Sequence, residues 1–169
     1  VNIGGTRNLL YLAEELEIPE FHQISTAYVA GDSVHFTEDD FDIGQTCRNI
    51  YEKTKKEAER LVRTWKHGSY SIYRLGIMVG DSKTGYMPSF DGYYAFVGTL
   101  WHLKQGLFAK NREELKKYEA EGISFNPDGT LTLPIYINFS PTSTLNIVPI
   151  DWAARTLAKL IDVPSINRA

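Results

Sequence analysis

The sequence lacks most of the features that would assign a chain to a functional class at first reading. It has one cysteine, Cys47, so it cannot form an internal disulfide, and this is typical of proteins of the reducing cytoplasm. The four histidines and the cysteine have no metal-ligand spacing, which predicts no metal site. No apolar run approaches the roughly 20 residues of a membrane-spanning helix. No signal-peptide pattern is present at the amino end.

An excess of one charge is also missing. The 169 residues include 18 Lys and Arg against 21 Asp and Glu, a formal net charge of −3. There is no basic block and no interleaving of aromatic with basic residues, so nucleic acid is excluded as the expected partner. The length suffices for one domain with a sizeable core.

A glycine-rich turn that could bind a cofactor pyrophosphate is absent as well. Neither G-x-G-x-x-G, G-x-x-G-x-x-G nor the phosphate-loop order G-x-x-x-x-G-K-[ST] occurs. Gly4 and Gly5 stand at the start of a helical pattern with no strand before them, so they do not replace such a turn. Because the chain opens at Val1 directly within that pattern, we expect it to be a fragment of a longer protein.

The sequence does contain an alternation of helix and strand patterns. Apolar spacing and breakers predict helices over residues 3–17, 49–66, 90–107, 111–121 and 152–161, and strands over 21–30, 69–79 and 130–139. Asp151 is predicted to cap the last helix. The order helix, strand, helix, strand in the first half predicts a parallel α/β architecture.

Two hydroxyls, a phenol and a lysine form the candidate chemical group. Tyr51 and Lys55 are four residues apart, so they project from one face of a helix. Ser25 and Thr26 end a predicted strand, and a hydroxyl brought beside the Tyr–Lys pair would complete a proton-transfer group for a carbonyl substrate. The spacing alone is weak evidence, because a packed tyrosine and an exposed lysine would produce the same pattern.

Six segments, in the same order, resemble the extended short-chain dehydrogenases/reductases of the NAD-dependent epimerase/dehydratase superfamily. The segments are NIGGTRNLLYLA, ISTAYVAGD, NIYEKTKKEAERLV, IYRLGIMVGDSKTG, FDGYYAFV and NIVPIDWAA. The resemblance is closest to the branch of fatty acyl-CoA reductases and thioester reductase domains, known as the male sterility type. It covers most of residues 1–107 and 145–158, whereas no segment of residues 109–144 is assigned to the family pattern.

The resemblance implies an α/β fold, the C-terminal part of a Rossmann-like doubly wound parallel sheet with a small additional substrate lobe. Residues 1–85 would form the catalytic half of the NAD(P)-binding domain, residues 86–148 the substrate lobe, and residues 149–169 a return helix. The glycine-rich turn of such proteins belongs to the first half of the fold, which this chain would lack. We therefore expect this chain alone to bind cofactor weakly or not at all, and to expose a sheet edge that favours self-association into a homo-oligomer.

The resemblance also implies roles for the candidate residues. Thr26 aligns with the catalytic hydroxyl, 25 residues before Tyr51, and Ser25 is the alternative. Successive strand residues point to opposite faces, so only one of the two can serve. Tyr51 would donate the proton. Lys55 would favour the phenolate form and hold the ribose hydroxyls of the cofactor.

By the same resemblance, Gly76 and Ile77 would lie beside the nicotinamide. The family commonly has Arg-Pro just before them, whereas this chain has Arg74-Leu75. Arg74 is equally compatible with a structural ion pair.

The resemblance implies a reductase that converts an acyl thioester, carried by coenzyme A or a carrier protein, to an aldehyde or alcohol. NADP(H) is the favoured cofactor and NAD(H) the alternative. The apolar segment FDGYYAFVGTLW would border the acyl or pantetheine channel. Two other interpretations stay open: a nucleotide-sugar epimerase or dehydratase of the same superfamily, and a catalytically incomplete fragment.

Overall fold

The computed structural model describes residues 1–89, 91–135, 142 and 144–163. Its helices are α1 (Asn2–Glu15), α2 (Ile50–Thr64), α3 (Tyr93–Phe108), α4 (Arg112–Ala120) and α5 (Ile150–Ile161). Its strands are β1 (Glu20–Thr26), β2 (Ser69–Leu75), β3 (Ile77–Val79), β4 (Ser124–Phe125), β5 (Leu131–Thr132) and β6 (Ile147–Pro149). The chain divides into two compact units, Val1–Tyr86 with Asn146–Ala169, and Met87–Leu145.

The first unit is built on a parallel pair of strands joined by a helix. β1 pairs with β2 in parallel, from Glu20 opposite Ser69 to Thr26 opposite Leu75. Parallel neighbours need a crossover connection, and α2 lies within it. The predicted parallel α/β architecture is therefore confirmed.

The core of this unit lies between the helices α1 and α2 and one face of the strand pair. The buried side chains come from α1, from α2 and the residue after it, and from β2: Leu10, Ala13, Val62, Trp65, Tyr70 and Ile72. Phe21 of β1 packs against them. The start of α2 is fixed by Asn49, whose side chain accepts a 2.9 Å hydrogen bond from the Glu52 N–H. This capping bond satisfies an N–H group that the helix leaves without a partner. The packing and the cap together set the orientation of α2, which carries Tyr51 and Lys55.

The strand predicted over residues 21–30 ends earlier, at Thr26. Residues Ala27–Ala30 form a 3₁₀ turn, and the Thr26 Oγ1 accepts a 3.3 Å hydrogen bond from the Tyr28 N–H. A loop follows, and its two ends are joined where Asp32 Oδ1 accepts a 2.7 Å bond from the Thr46 N–H. This bond therefore holds the two ends of the loop together close to the end of β1.

The strand predicted over residues 69–79 is two strands with different partners. β2 pairs with β1, whereas β3 pairs in parallel with β6. The break lies at Gly76, where an added Cβ would stand 2.7 Å from the Asn146 Oδ1 and 2.8 Å from the Asn146 O. A glycine is needed here because the two segments approach so closely.

The prediction that Asp151 caps the last helix is wrong. α5 begins at Ile150, with Pro149 at the capping position. The Asp151 carboxylate instead accepts bonds from the Ser82 N–H (2.8 Å) and hydroxyl (2.9 Å), and it pairs with Arg155 at 2.8 Å. Asp151 therefore fastens the loop after β3 to α5.

The second unit contains α3, α4 and the antiparallel pair β4–β5. The helix predicted from Phe90 begins at Tyr93, and Phe90 itself lies outside the described residues. α4 starts with a capping box between Asn111 and Glu114. Of the strand predicted over 130–139, only Leu131–Thr132 is a strand as far as residue 135, and residues 136–139 lie outside the described residues.

No helix in the described part of the chain combines the length and apolar character needed to cross a membrane. The same residues contain no group of three or more His, Cys, Asp or Glu side chains that could hold a metal ion.

Candidate active site

The candidate site lies at the carboxyl ends of β1 and β2. Thr26 is the last residue of β1, stands opposite Leu75 in the register, and is buried. Ligands of open parallel sheets bind outside the carboxyl ends of the strands. The predicted catalytic hydroxyl therefore lies at the edge where such a ligand would be expected.

Lys55 is brought to this edge from α2. Its Nζ donates a 2.7 Å hydrogen bond to the Ile24 carbonyl, two residues before Thr26. Burial lowers the pKa of Lys55, and the nearby Glu59 carboxylate acts in the opposite direction. An ammonium has three N–H donors, and within the described part of the chain only the Ile24 carbonyl accepts from this one. Lys55 therefore keeps donors for other acceptors, such as ribose hydroxyls.

Tyr51 lies in the first turn of α2, one turn before Lys55. Its side chain is 51% exposed, so a ligand at this end of the helix could reach the phenol. The structure thus joins Lys55 to the end of β1 and leaves Tyr51 accessible on the same helix. The catalytic roles of both residues stay predictions.

Ser25 and Thr26 have different hydrogen-bond partners. The Ser25 Oγ donates a 2.6 Å bond to the Glu59 Oε1, so its proton is committed. The Thr26 Oγ1 accepts from the Tyr28 N–H, and no acceptor takes the Thr26 hydroxyl proton within the described ranges. This difference favours Thr26 over Ser25 as the hydroxyl that could donate to a substrate.

Glu59 was missed by the sequence reasoning. Its side chain is fully buried, and it pairs with Arg74, whose Nη2 lies 2.9 Å from the Glu59 Oε2. The signal was present: Glu59 stands four residues after Lys55 and three before Val62, on the buried face of α2. A carboxylate in that position requires a partner, and Arg74 is that partner. The interpretation of Arg74 as a member of a structural ion pair is therefore confirmed.

Arg74 also holds the loop that follows β1. Its Nη1 donates to the Thr37 carbonyl at 3.1 Å, and its Nη2 donates to the Asp40 carbonyl at 2.8 Å. The guanidinium lies 4.9 Å from the centre of the Phe36 ring, within the range of cation–π attraction. The buried Glu59–Arg74 pair therefore fixes the position of the loop beside Thr26.

Gly76 and Ile77 have structural partners of their own. The Ile77 N–H donates to the Asn146 carbonyl at 2.8 Å, and Gly76 packs closely against Asn146. The Ile77 N–H is therefore engaged within the protein. The prediction that these two residues lie beside a nicotinamide stays a prediction.

A cavity of about 550 Å³ adjoins the site within the first unit. Ala27, Leu75 and Gly76 form part of its wall at the strand ends, Phe36 contributes from the loop, and Trp152 and Leu157 contribute from α5. Ala27 directly follows Thr26 in the chain. The candidate hydroxyl is therefore adjacent to a partly open cavity of ligand size.

Comparison with known families finds a match over most of the chain. Residues 1–157 match the model of an NAD-binding family described as male sterility protein. No curated protein matches the chain. The matched range holds the elements from α1 to β6 and α5 as far as residue 157, and it includes each residue of the candidate site.

Proposed function

The chain belongs to the male sterility family of NAD-binding domains, and on this premise we propose that it reduces acyl thioesters. At the level of the family it is an NAD(P)-dependent oxidoreductase of the short-chain dehydrogenase/reductase type. The proposal adds the substrate and the residues Thr26, Tyr51 and Lys55. The observation that carries it is the bond from the Lys55 Nζ to the Ile24 carbonyl, because it fastens the lysine beside the end of β1 where Thr26 lies.

Thr26 would stabilise charge on the substrate oxygen. Hydride arriving at a thioester carbonyl carbon leaves negative charge on that oxygen, and a preorganised hydrogen-bond donor lowers the barrier. The Thr26 hydroxyl oxygen accepts a 3.3 Å hydrogen bond from the Tyr28 N–H, which orders the side chain. The hydroxyl proton would then be available to a substrate oxygen.

Tyr51 would donate the proton that neutralises this oxygen. Proton transfer from a positioned side chain contributes about 10² to 10⁴ in rate. The Lys55 ammonium, one turn away, would favour the phenolate left behind and would hold the ribose hydroxyls with its remaining N–H donors. A nicotinamide dinucleotide, when bound, supplies the hydride, and we propose NADPH rather than NADH. The resulting hemithioacetal would then release the thiol of coenzyme A or of a carrier protein.

The test compares Tyr51→Phe with Tyr11→Phe, a control in which an exposed phenol on α1 is changed in the same way. The assay follows NADPH consumption with dodecanoyl-coenzyme A as substrate. We expect kcat to fall by about 10² to 10⁴ in Tyr51→Phe and to be unchanged in Tyr11→Phe. Equal kcat values for Tyr51→Phe and the unaltered protein would remove Tyr51 as the proton donor.

A further inference from the structure

The cavity beside Thr26 has the position expected of a substrate-tail pocket. Thr26 is followed by Ala27 and pairs in register with Leu75, and both of these neighbours line the cavity. A carbonyl group held by the Thr26 hydroxyl would therefore have the cavity next to it. We propose that this cavity receives the apolar tail of the acyl group, an inference that rests on the proposed function.

The chemistry of the lining fits a hydrocarbon chain. Most of the lining side chains are apolar, among them Phe36, Val148, Trp152, Leu157 and Leu160. Burial of methylene groups against such a wall is favourable, because it removes apolar surface from water. An acyl chain is the part of a thioester that can use this surface.

Two of the polar groups in the lining already have partners. The Thr37 hydroxyl donates to the Asp40 carboxylate at 2.8 Å. The Arg74 guanidinium donates to Glu59 and to the two loop carbonyls. These groups are engaged within the protein, so they contribute little to the binding of a polar ligand such as a nucleotide sugar.

The size of the cavity predicts that the protein selects substrates by the length of the acyl chain. Its volume of about 550 Å³ lies within the 300–1,000 Å³ typical of small-molecule sites. Phe36 cannot move aside freely, because the Arg74 guanidinium contacts its ring and donates hydrogen bonds to two carbonyl groups of the same loop. Chains that exceed this space should gain no further affinity from additional methylene groups.

The first experiment locates the end of the bound acyl chain by tryptophan fluorescence. The probe is 12-bromododecanoyl-pantetheine, in which bromine quenches a tryptophan that it contacts and pantetheine is common to coenzyme A and carrier proteins. The chain has three tryptophans, and only Trp152 lines the cavity. We expect strong quenching in the unaltered protein and in Trp101→Phe, whose tryptophan is exposed on α3. Most of the quenching should be lost in Trp152→Phe.

The second experiment fills the cavity. Thr156 on α5 lines the cavity, whereas the neighbouring Ala154 is exposed and does not. We expect Thr156→Phe to weaken the binding of dodecanoyl-pantetheine by about tenfold or more and to leave acetyl-pantetheine binding unchanged. Ala154→Phe, the matched control, should change neither affinity.

The outcomes separate this inference from the proposed function, since NADPH-dependent reduction of dodecanoyl-coenzyme A is measured on the same samples. If the protein turns over substrate and quenching survives in Trp152→Phe, the cavity is not the tail site and the reductase assignment stays in place. The cavity is also not the tail site if Thr156→Phe leaves the dodecanoyl-pantetheine affinity unchanged while its circular dichroism spectrum shows that it is folded. Probe binding at Trp152 without any turnover would support the cavity and favour the interpretation of the chain as a catalytically incomplete fragment. Failure of every variant to bind the probe would overturn the inference.

Discussion

The Ser25 hydroxyl donates a 2.6 Å hydrogen bond to the carboxylate of Glu59, which has no exposed surface. The same carboxylate accepts from the Nε and Nη2 of Arg74. Glu59 therefore joins β1, its own helix α2 and β2. A buried charge is tolerated in a fold only when such partners compensate for its lost hydration. The arrangement explains why Ser25 is a structural group although it stands next to the candidate catalytic hydroxyl.

The Glu59–Arg74 pair should show strong coupling in a double-mutant cycle. Glu59→Gln leaves the guanidinium of Arg74, whose side chain is 9% exposed, without its counter-charge, and we expect a loss of about 3–5 kcal/mol in the free energy of unfolding. Arg74→Met should cost a similar amount, because the carboxylate is then unpaired. The double variant should lose clearly less than the sum of the two, as measured by urea unfolding.

The matched control for this cycle is Asp42 with Arg60, a pair at 2.9 Å in which both side chains are nearly half exposed. Exposed pairs contribute about 0–1 kcal/mol. A coupling energy for Glu59–Arg74 as small as that of the control pair would contradict the central role of Glu59.

The two neighbouring hydroxyls should respond differently to substitution. Thr26→Ala removes the proposed donor to the substrate oxygen, so kcat should fall by about 10²–10³. Stability should fall by about 1 kcal/mol, because the hydroxyl also accepts from the Tyr28 N–H. Ser25→Ala removes a bond to a buried charge, so it should cost about 1.5–3 kcal/mol of stability with kcat retained. Thr26→Ser keeps the hydroxyl and should keep most of the activity. Loss of kcat in Ser25→Ala, with Thr26→Ala active, would reverse the assignment.

Asp151 should make the stability of the fold depend on pH in the acid range. The Ser82 N–H, the Ser82 hydroxyl and Arg155 lower the pKa of Asp151 to about 2. Because this pKa is below the ordinary value of 3.8, the carboxylate stabilises the fold above about pH 4, and the contribution is lost as the pH falls through about 2. The unfolding free energies of the unaltered protein and Asp151→Asn should therefore converge between pH 4 and pH 2.

The control for the pH experiment is Asp39→Asn, since Asp39 is exposed in the loop and has no hydrogen bond or ion pair with the described residues. The difference between Asp39→Asn and the unaltered protein gives the background change over the same pH range. A difference for Asp151→Asn that changes no more than this background would show that its bonds to Ser82 and Arg155 do not stabilise the fold.

Gly76→Ala should be destabilising because of the close approach of Asn146. The added Cβ would stand within 2.8 Å of both the side chain and the backbone of Asn146, and we expect a loss of about 1–3 kcal/mol. In Gly5→Ala, by contrast, the Cβ meets nothing within 4 Å inside α1. That change should stabilise the protein by about 0.5–1 kcal/mol, the helix preference of alanine over glycine. Thermal unfolding should show a lower Tm for Gly76→Ala and a higher Tm for Gly5→Ala than for the unaltered protein.

The helices α1 and α2 could be predicted from the sequence because their evidence is local. Apolar residues recur at helical spacing, Pro19 follows the first helix, and Asn49 stands where a cap belongs. The spacing of Tyr51 and Lys55 is local as well, so their common position on one helix was predictable.

The features that were missed depend on contacts between distant segments. The apolar run from Ser69 to Val79 continues through Gly76, and nothing in its periodicity indicates that the pairing partner changes there. The residues after Thr26 continue the apolar pattern of β1 as far as Val29. The strand nevertheless ends at Thr26, because Ala27–Ala30 form a 3₁₀ turn that leads into the loop. The position of Glu59 on the buried face of α2 indicates that it needs a partner, but only the folded arrangement identifies Arg74, on the next strand, as that partner.

The attachment of Arg74 to the loop has a consequence for sequence variation. Its two hydrogen bonds go to the carbonyl oxygens of Thr37 and Asp40, and every residue type supplies the same carbonyl group. Substitutions at Glu38 and Asp39 therefore leave these two bonds intact. This short stretch can change its surface charge and chemistry while the backbone keeps its path past the cavity, so variants could acquire new substrate preferences without loss of the fold.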